Sequence, residues 1–386
     1  MKNATSIVKL QRHHNAPDLE VSFARRYIKD NGYEAPVLVV NRQRLIQAVT
    51  SFREAMPRVE PHFAIKANPD PSILRVLAGA NCGFEFASKA ELELLLNLGI
   101  DPSKTYFSNP IKSPGHLSFA AEQGVIWHVV DSVEELEKVK LINPRAKIYL
   151  RLKISNQGAL WPLYGKFGAS ESEIDRLLKC ARELGASING LTFHVGSQCV
   201  DARAWRNGID FALKIAHKLT LNNMSFELLN LGGGFPIAIA GDEPTIFDIA
   251  EQTNRLINSL PNTVKVIAEP GRYLVATAGC LVSEVAGIVK RNSENWLYLD
   301  TGIYNGLSEH VENFLYSLKI PEADGPNIEW TVAGPTCDSV DVLKNKHWLP
   351  ANIRPRAQVF IPNSGAYTNA AACRFNGFEI PRVEVI

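Results

Sequence analysis

The stretch HFAIK (62–66) hands over to PSILRVLAGA (71–80), and GFEFA (83–87) to KAELELLLNLG (89–99). Each short β-rich run is followed by a segment with apolar residues three and four apart, the pattern of a strand leading into an amphipathic helix rather than into a hairpin. The alternation continues through TYFSN (105–109), VIWHVVD (125–131), KIYLRLKI (147–154), GLTFHV (190–195), FELLNL (226–231) and VKVIAE (264–269), with helical segments between them. Strands alternating with helices predict a parallel sheet covered by helices. Eight such strands in roughly 200 residues favour a closed (β/α)8 barrel over an open sheet. After Pro270 the texture changes to WLYLDTG (296–302), IEWTVAG (328–334) and AQVFIPNS (357–364), separated by Pro, Gly and Asn. The expected fold is therefore α/β, a barrel over 36–270 with a second, mostly β domain made of 1–35 and 271–386.

Bulk properties narrow the function. The chain has 386 residues, 46% hydrophobic and 21% charged, with a formal net charge of +1. That near-neutral balance argues against binding nucleic acid or a membrane surface through bulk charge. The first twenty residues contain no continuous apolar run, so no secretory signal is expected. The most apolar later stretch, 273–290, is broken by Glu284 and too short to span a bilayer. These features predict a cytoplasmic protein. The six cysteines lie far apart with no Cys-x-x-Cys pair, and the adjacent His13 and His14 lack matching ligand spacing, so neither a metal site nor a disulfide framework is expected. Cys82, Cys180, Cys199, Cys280 and Cys373 read as buried small hydrophobes.

The chemistry-bearing residues fall at strand ends. Lys66 ends the first strand, Glu85 lies in the second, Arg151 in the fifth, His194 ends the sixth, Gly232–Gly234 follow the seventh, and Glu269 ends the eighth. The C-terminal ends of barrel strands face one mouth, where active sites of such barrels are built. Any one of these residues alone would read as packing or surface. A lysine whose ammonium is desolvated or close to another cation gives up its proton more easily and can condense with an aldehyde. LNLGGGFP (229–236) lacks the spacing of a dinucleotide or triphosphate loop, yet three consecutive glycines let backbone N–H groups approach a phosphate; a tight turn would use the same glycines. Glu269, near Arg272, suits either a ring-nitrogen partner or a simple ion pair.

In chain order, FAIKAN (63–68), FASKAELELLLNLGI (86–100), KFGA (166–169), FHVGSQ (193–198), LNLGGGFP, AEPGRYLV (268–275), GPTCDSVDVL (334–343) and GAYTNAAACRFNGF (365–378) resemble the pyridoxal-phosphate decarboxylases of the alanine-racemase-like fold. The ornithine/lysine decarboxylase branch is the most similar. The resemblance implies pyridoxal 5'-phosphate as cofactor, an amino-acid substrate, and a homodimer with active sites at its interface. It implies that Lys66 carries the cofactor, His194 stacks on its ring and Glu269 meets the ring nitrogen. Ser197, Gly232, Gly233, Gly234, Gly271, Arg272 and Tyr367 would surround the phosphate, with Glu85 and Arg151 nearby. Cys337, supplied by the partner subunit, would act at the substrate α-carbon, and Asp338 and Tyr304 would meet the substrate's far end.

Substrate choice turns on TGIYNGLSEHVENFLYSLKI (301–320), where the family usually places an acid opposite a distal ammonium. Asn313 occupies that position, with Glu309 and Glu312 nearby. A basic diamino acid, ornithine or lysine, is expected, or a related α-amino acid. An amino-acid racemase of the same fold, or a non-catalytic homologue, is the alternative; the first would need a second base and no CDSxD motif. LWPLYGKFG (160–168) is expected to be a loop that closes over the site.

Overall fold

The computed structural model describes residues 16–163, 165–239 and 241–386; His13, His14 and Tyr164 lie outside them. The chain forms two compact units, one of Ile46–Tyr273 and one of the residues up to Leu45 together with Leu274–Ile386.

In chain order the first elements are helix α1 (Ala16–Asn31), strand β1 (Val37–Val40) and helix α2 (Arg42–Ala55). The barrel strands follow: β2 (Glu60–Ala64), β3 (Gly83–Phe86), β4 (Tyr106–Phe107), β5 (Trp127–Val130) and β6 (Lys147–Arg151). After β7 (Ala159–Trp161) come β8 (Ile188–Thr192), β9 (Ser197–Cys199), β10 (Leu228–Asn230) and β11 (Lys265–Ala268). Strands β2, β3, β4, β5, β6, β8, β10 and β11 close into one barrel, and its pairings are parallel. The eight strands foreseen from the alternation are these eight.

Short polar residues start most of the intervening helices, the helix Arg203–Leu221 being the exception. Asp70 Oδ1 accepts from the Ser72 N–H at the start of helix α3 (Pro71–Gly79), and Ser88 Oγ from the Glu91 N–H at the start of α4 (Lys89–Asn97). Such caps satisfy donors that the first helical turn leaves open, each worth about 1 kcal/mol. Helices α5 (Pro114–Glu122), α6 (Val133–Ile142) and α7 (Glu171–Glu183) follow, then α8 (Arg203–Leu221), which buries Trp205, Ile209, Ala212, Ile215 and Leu219 on one face. Gly208 lets α8 press on the sixth barrel strand's exit: a Cβ there would lie 2.4 Å from the Phe193 ring. Helix α9 (Ile246–Ser259) completes the outer layer. Inside the barrel, Tyr106, Val129, Tyr149, Leu228 and Ile267 form a separate buried cluster.

In the other unit, β12 (Gly279–Arg291), β13 (Glu294–Leu299), β14 (Asp324–Ala333), β15 (His347–Asn352), β16 (Gln358–Ile361) and β17 (Arg382–Val385) join β1 in one sheet of order β15-β14-β13-β12-β1-β17, with β16 also on β12. Val37–Val40, placed in the barrel by the sequence reading, is thus a strand of this sheet. It pairs antiparallel with β12 and parallel with β17. All four of its residues are buried, because both faces are covered, and Val37 and Val39 pack with Val21, Ala24 and Ile28 of α1. A strand that is apolar on every residue looks the same in either setting.

Candidate active site

The barrel mouth gathers most of the expected residues. Strand β2 ends at Ala64, and Lys66 sits in the 3-10 turn Ile65–Ala67 that follows, exposed between two buried neighbours. Asn68, fully buried, ends the turn. Glu85, buried on β3, is pushed up to about 8 by burial and by the charge of Glu269, against the opposing pull of Lys66. Glu91, whose Oε2 accepts the Ala87 N–H at 2.6 Å, is also raised by burial and lowered by Lys66. The Lys66 charge is therefore felt by two carboxyl groups, those of Glu85 and Glu91.

Glu269 is held by residues that strand-end reasoning missed. Its Oε1 accepts from Ser108 Oγ at 2.6 Å and from Asn230 Nδ2 at 2.6 Å. The Tyr149 hydroxyl lies 2.8 Å from Ser108 Oγ; because Ser108 donates to Glu269, Tyr149 donates to Ser108. Asn230 also accepts the Gly232 N–H through Oδ1 at 2.9 Å, and the Glu269 N–H donates to the Gly232 carbonyl at 2.8 Å. One side-chain amide thus binds the carboxylate and the glycine turn together. Ser108 and Asn230 thus hold the Glu269 carboxylate in addition to any pairing with Arg272.

The glycine turn has no room for side chains. A Cβ on Gly232 would lie 1.9 Å from the Phe193 carbonyl oxygen, on Gly233 2.9 Å from the Glu269 carbonyl oxygen, and on Gly234 2.3 Å from the Gly196 carbonyl oxygen. Backbone alone therefore faces the mouth there. His194 packs against it, its Nδ1 accepting the Gly196 N–H at 3.0 Å. Burial, then the charges of Arg151 and Lys66, hold its imidazole well below the usual value, so it is neutral at physiological pH. Arg151 ends β6 with its guanidinium 5.2 Å from the Phe167 ring. Ser197 opens β9, and Arg272, next to Gly271, opens the short helix α10 (Arg272–Val275).

The first part of the segment expected to close over the site, as far as Leu163, is paired and hydrogen-bonded. Strand β7 pairs antiparallel with β9, Ala159 opposite Cys199 and Trp161 opposite Ser197. Asn156 donates from Nδ2 to the His194 carbonyl and accepts the Leu163 N–H, both at 2.8 Å.

The remaining expected residues lie in the sheet unit. The Tyr304 hydroxyl donates to Asp338 Oδ2 at 2.7 Å, and the Tyr304 ring stacks on Phe375 at 4.6 Å. The Cys337 N–H and thiol both donate to Asn376 Oδ1 at 3.2 Å. Asp341, buried, anchors this loop by accepting from the Ile303 and Thr336 N–H groups and the Thr336 hydroxyl. Tyr367 takes a left-handed backbone, φ 62°. Glu309 and Glu312 lie on the 3-10 turn Ser308–Glu312, and exposed Asn313 ends it at φ 68°. That backbone favours asparagine over most residues, which gives Asn313 a conformational reason beside any substrate role. Cys82, Cys180, Cys199 and Cys280 are buried, but Cys373, expected inside, is exposed like Cys337; its N–H donates to the Tyr304 carbonyl on a surface turn.

Among the described residues no helix is long and apolar enough to cross a membrane. Residues 42–276 match the model of the pyridoxal-dependent decarboxylase family's pyridoxal binding domain. Ornithine decarboxylase 2 of Drosophila melanogaster is 33% identical over 343 residues, 86% of this chain and 86% of that protein. Among solved structures, a lysine/ornithine decarboxylase from Vibrio vulnificus complexed with cadaverine superposes with a TM-score of 0.87 at 30% identity, covering 95% of this chain and 98% of that one. A Paramecium bursaria Chlorella virus arginine decarboxylase bound to agmatine gives a TM-score of 0.88 at 29% identity, covering 95% and 100%. With barrel, strand-end lysine and glycine turn in place, the chain belongs to the pyridoxal-phosphate-dependent decarboxylases, carboxy-lyases of the alanine-racemase-like fold.

Proposed function

We propose that the chain removes the α-carboxylate of a basic amino acid, ornithine or lysine, as carbon dioxide, and that it works in the cytoplasm as a homodimer with active sites at the interface. The observation that carries this reading is the Asn230 amide, which ties the Glu269 carboxylate to the glycine turn on the mouth that Lys66 faces. Pyridoxal phosphate fits that donor set: an amine for its aldehyde, a carboxylate for its ring N–H, and a side-chain-free turn for its phosphate. When bound, the cofactor supplies an electron-poor ring that takes up the electron pair left by departing carbon dioxide.

The chain's own residues do the rest. Lys66 holds the aldehyde carbon, and its exposure at the mouth lets an incoming amino acid reach it. Glu269, oriented by Ser108 and Asn230, keeps a proton on the ring nitrogen. Glu85, with its carboxyl raised to about 8, carries a proton at neutral pH and spares Glu269 a second negative charge. His194, uncharged, offers a flat face that does not compete with the ring's positive charge. Gly232–Gly234, Ser197, Gly271 and Arg272 receive the phosphate. Tyr367 at the phosphate, Cys337 as proton donor at the α-carbon, and Asp338 and Tyr304 at the substrate's amine rest on the family motifs they occupy, with Glu309, Glu312 and Asn313 setting chain length. The substrate class is supported by the ornithine, lysine and arginine named for the relatives.

Incubating the enzyme with ornithine, lysine and arginine, and measuring amine by mass spectrometry beside carbon dioxide, tests this. Putrescine or cadaverine appearing with equimolar carbon dioxide is expected. Loss of optical activity without carbon dioxide would overturn the proposal in favour of a racemase.

A further inference from the structure

Trp161, in the stretch 160–168 but in none of the eight motifs that carry the family resemblance, stands beside the phosphate end of the site. Its ring lies 4.8 Å from the Arg272 guanidinium, and Arg272 itself is buried. In the β7–β9 ladder Trp161 is directly opposite Ser197, and directly opposite residues of an antiparallel pair project to the same face. The indole, the serine and the arginine therefore form one cluster. The ribbon that carries Trp161 is fixed in depth: a Cβ on Gly196 would lie 2.4 Å from Ala159 Cβ and 3.2 Å from the Trp161 carbonyl oxygen. It is also fixed to the glycine turn, since the Cys199 N–H donates to the Gly234 carbonyl at 3.0 Å and the Val200 N–H to the Gly158 carbonyl at 2.8 Å. An arginine held against an aromatic face has its planar fork set before an anion arrives, so less side-chain freedom is lost on binding.

We infer that Trp161 is a positioning residue for the cofactor's phosphate, acting by holding the Arg272 guanidinium flat so that its N–H groups are aimed in advance. The inference rests on the assignment of Arg272 to the phosphate. It makes the 156–163 segment part of the phosphate site's wall, and it separates two cofactor forms: pyridoxal phosphate feels the effect and pyridoxal, which has no phosphate, does not.

The test strips the full-length protein of cofactor and titrates it with pyridoxal phosphate and with pyridoxal, following absorbance, for wild type, W161F, W161L, W161A and R272A. W161L keeps apolar bulk and lacks the aromatic face, so it guards against a collapse seen only in W161A. Expected is a loss of about tenfold in affinity for pyridoxal phosphate in W161L and W161A, near-normal binding in W161F, and pyridoxal binding unchanged throughout. Equal weakening of both ligands in W161L, or weakening of neither, overturns the inference. Should R272A also fail to separate the two ligands, the phosphate assignment of Arg272 falls with it; should R272A separate them and W161L not, only the role of Trp161 falls.

Discussion

Glu85 is a carboxyl that folding makes harder to ionise, and the pH dependence follows from its sign. Its pKa rises on folding from 4.5 to about 8, so between those values the folded chain holds a proton that the unfolded chain has lost. Stability attributable to this group is therefore greatest below about pH 4.5 and declines as pH rises toward 8. Glu85→Gln removes that decline. The variant's thermal midpoint is expected to exceed wild type at pH 8–9 and to converge with it near pH 5, measured by circular dichroism; a difference independent of pH would contradict the assignment. The sequence exposed Lys66, His194 and Glu269 because a reactive side chain at a strand end stands out. Ser108 and Asn230 did not, although they orient Glu269. A serine or asparagine at a strand exit is ordinary turn chemistry, and here its meaning depends on a partner 161 or 39 residues away.

At the scale of elements, the glycine turn after β10 tolerates substitution unevenly, and neighbours explain why. Gly232 has φ +62° and its Cβ would meet the backbone oxygen of Phe193 at 1.9 Å, which no rotamer change relieves. Gly79, near the end of α3, would place a Cβ in open space. Gly232→Ala is expected to lose roughly 3 kcal/mol or more by urea unfolding, together with cofactor retention. Gly79→Ala is expected to be neutral or to gain up to about 1 kcal/mol. Similar stability for the two variants would mean that the turn can shift. The alternation of strand and helix was readable because each barrel strand is brief and several helices open on a capping residue such as Asp70 or Ser88, although α8 starts after Ala202 with no side-chain cap. What blurred was the exit of each strand: the run HFAI continues past Ala64 into a 3-10 turn in which Ile65 is still fully buried, so the apolar pattern does not mark where the strand stops.

For the whole molecule, the proposed dimer draws Lys66 from the barrel unit of one protomer and Cys337 from the sheet unit of the other. Mixing inactive Lys66→Ala with inactive Cys337→Ala, under conditions that let subunits exchange, is then expected to restore about a quarter of wild-type activity, because half the dimers are hybrids and each carries one intact site. No recovery, with exchange verified by mass spectrometry, would place both residues in one protomer's site. The barrel was readable from sequence as a unit, whereas the sheet's membership was not, since β1 declares its partners only through pairings made hundreds of positions away. Those pairings have a consequence for how the protein is born. Val37 is matched to Val282 and to Arg382, so β1 leaves the ribosome long before either neighbour exists. The barrel's own strands all lie between them and can assemble in the interval. Until translation reaches Arg382, β1 is an apolar strand with an open edge, the kind of surface that pairs with another chain while folding is incomplete.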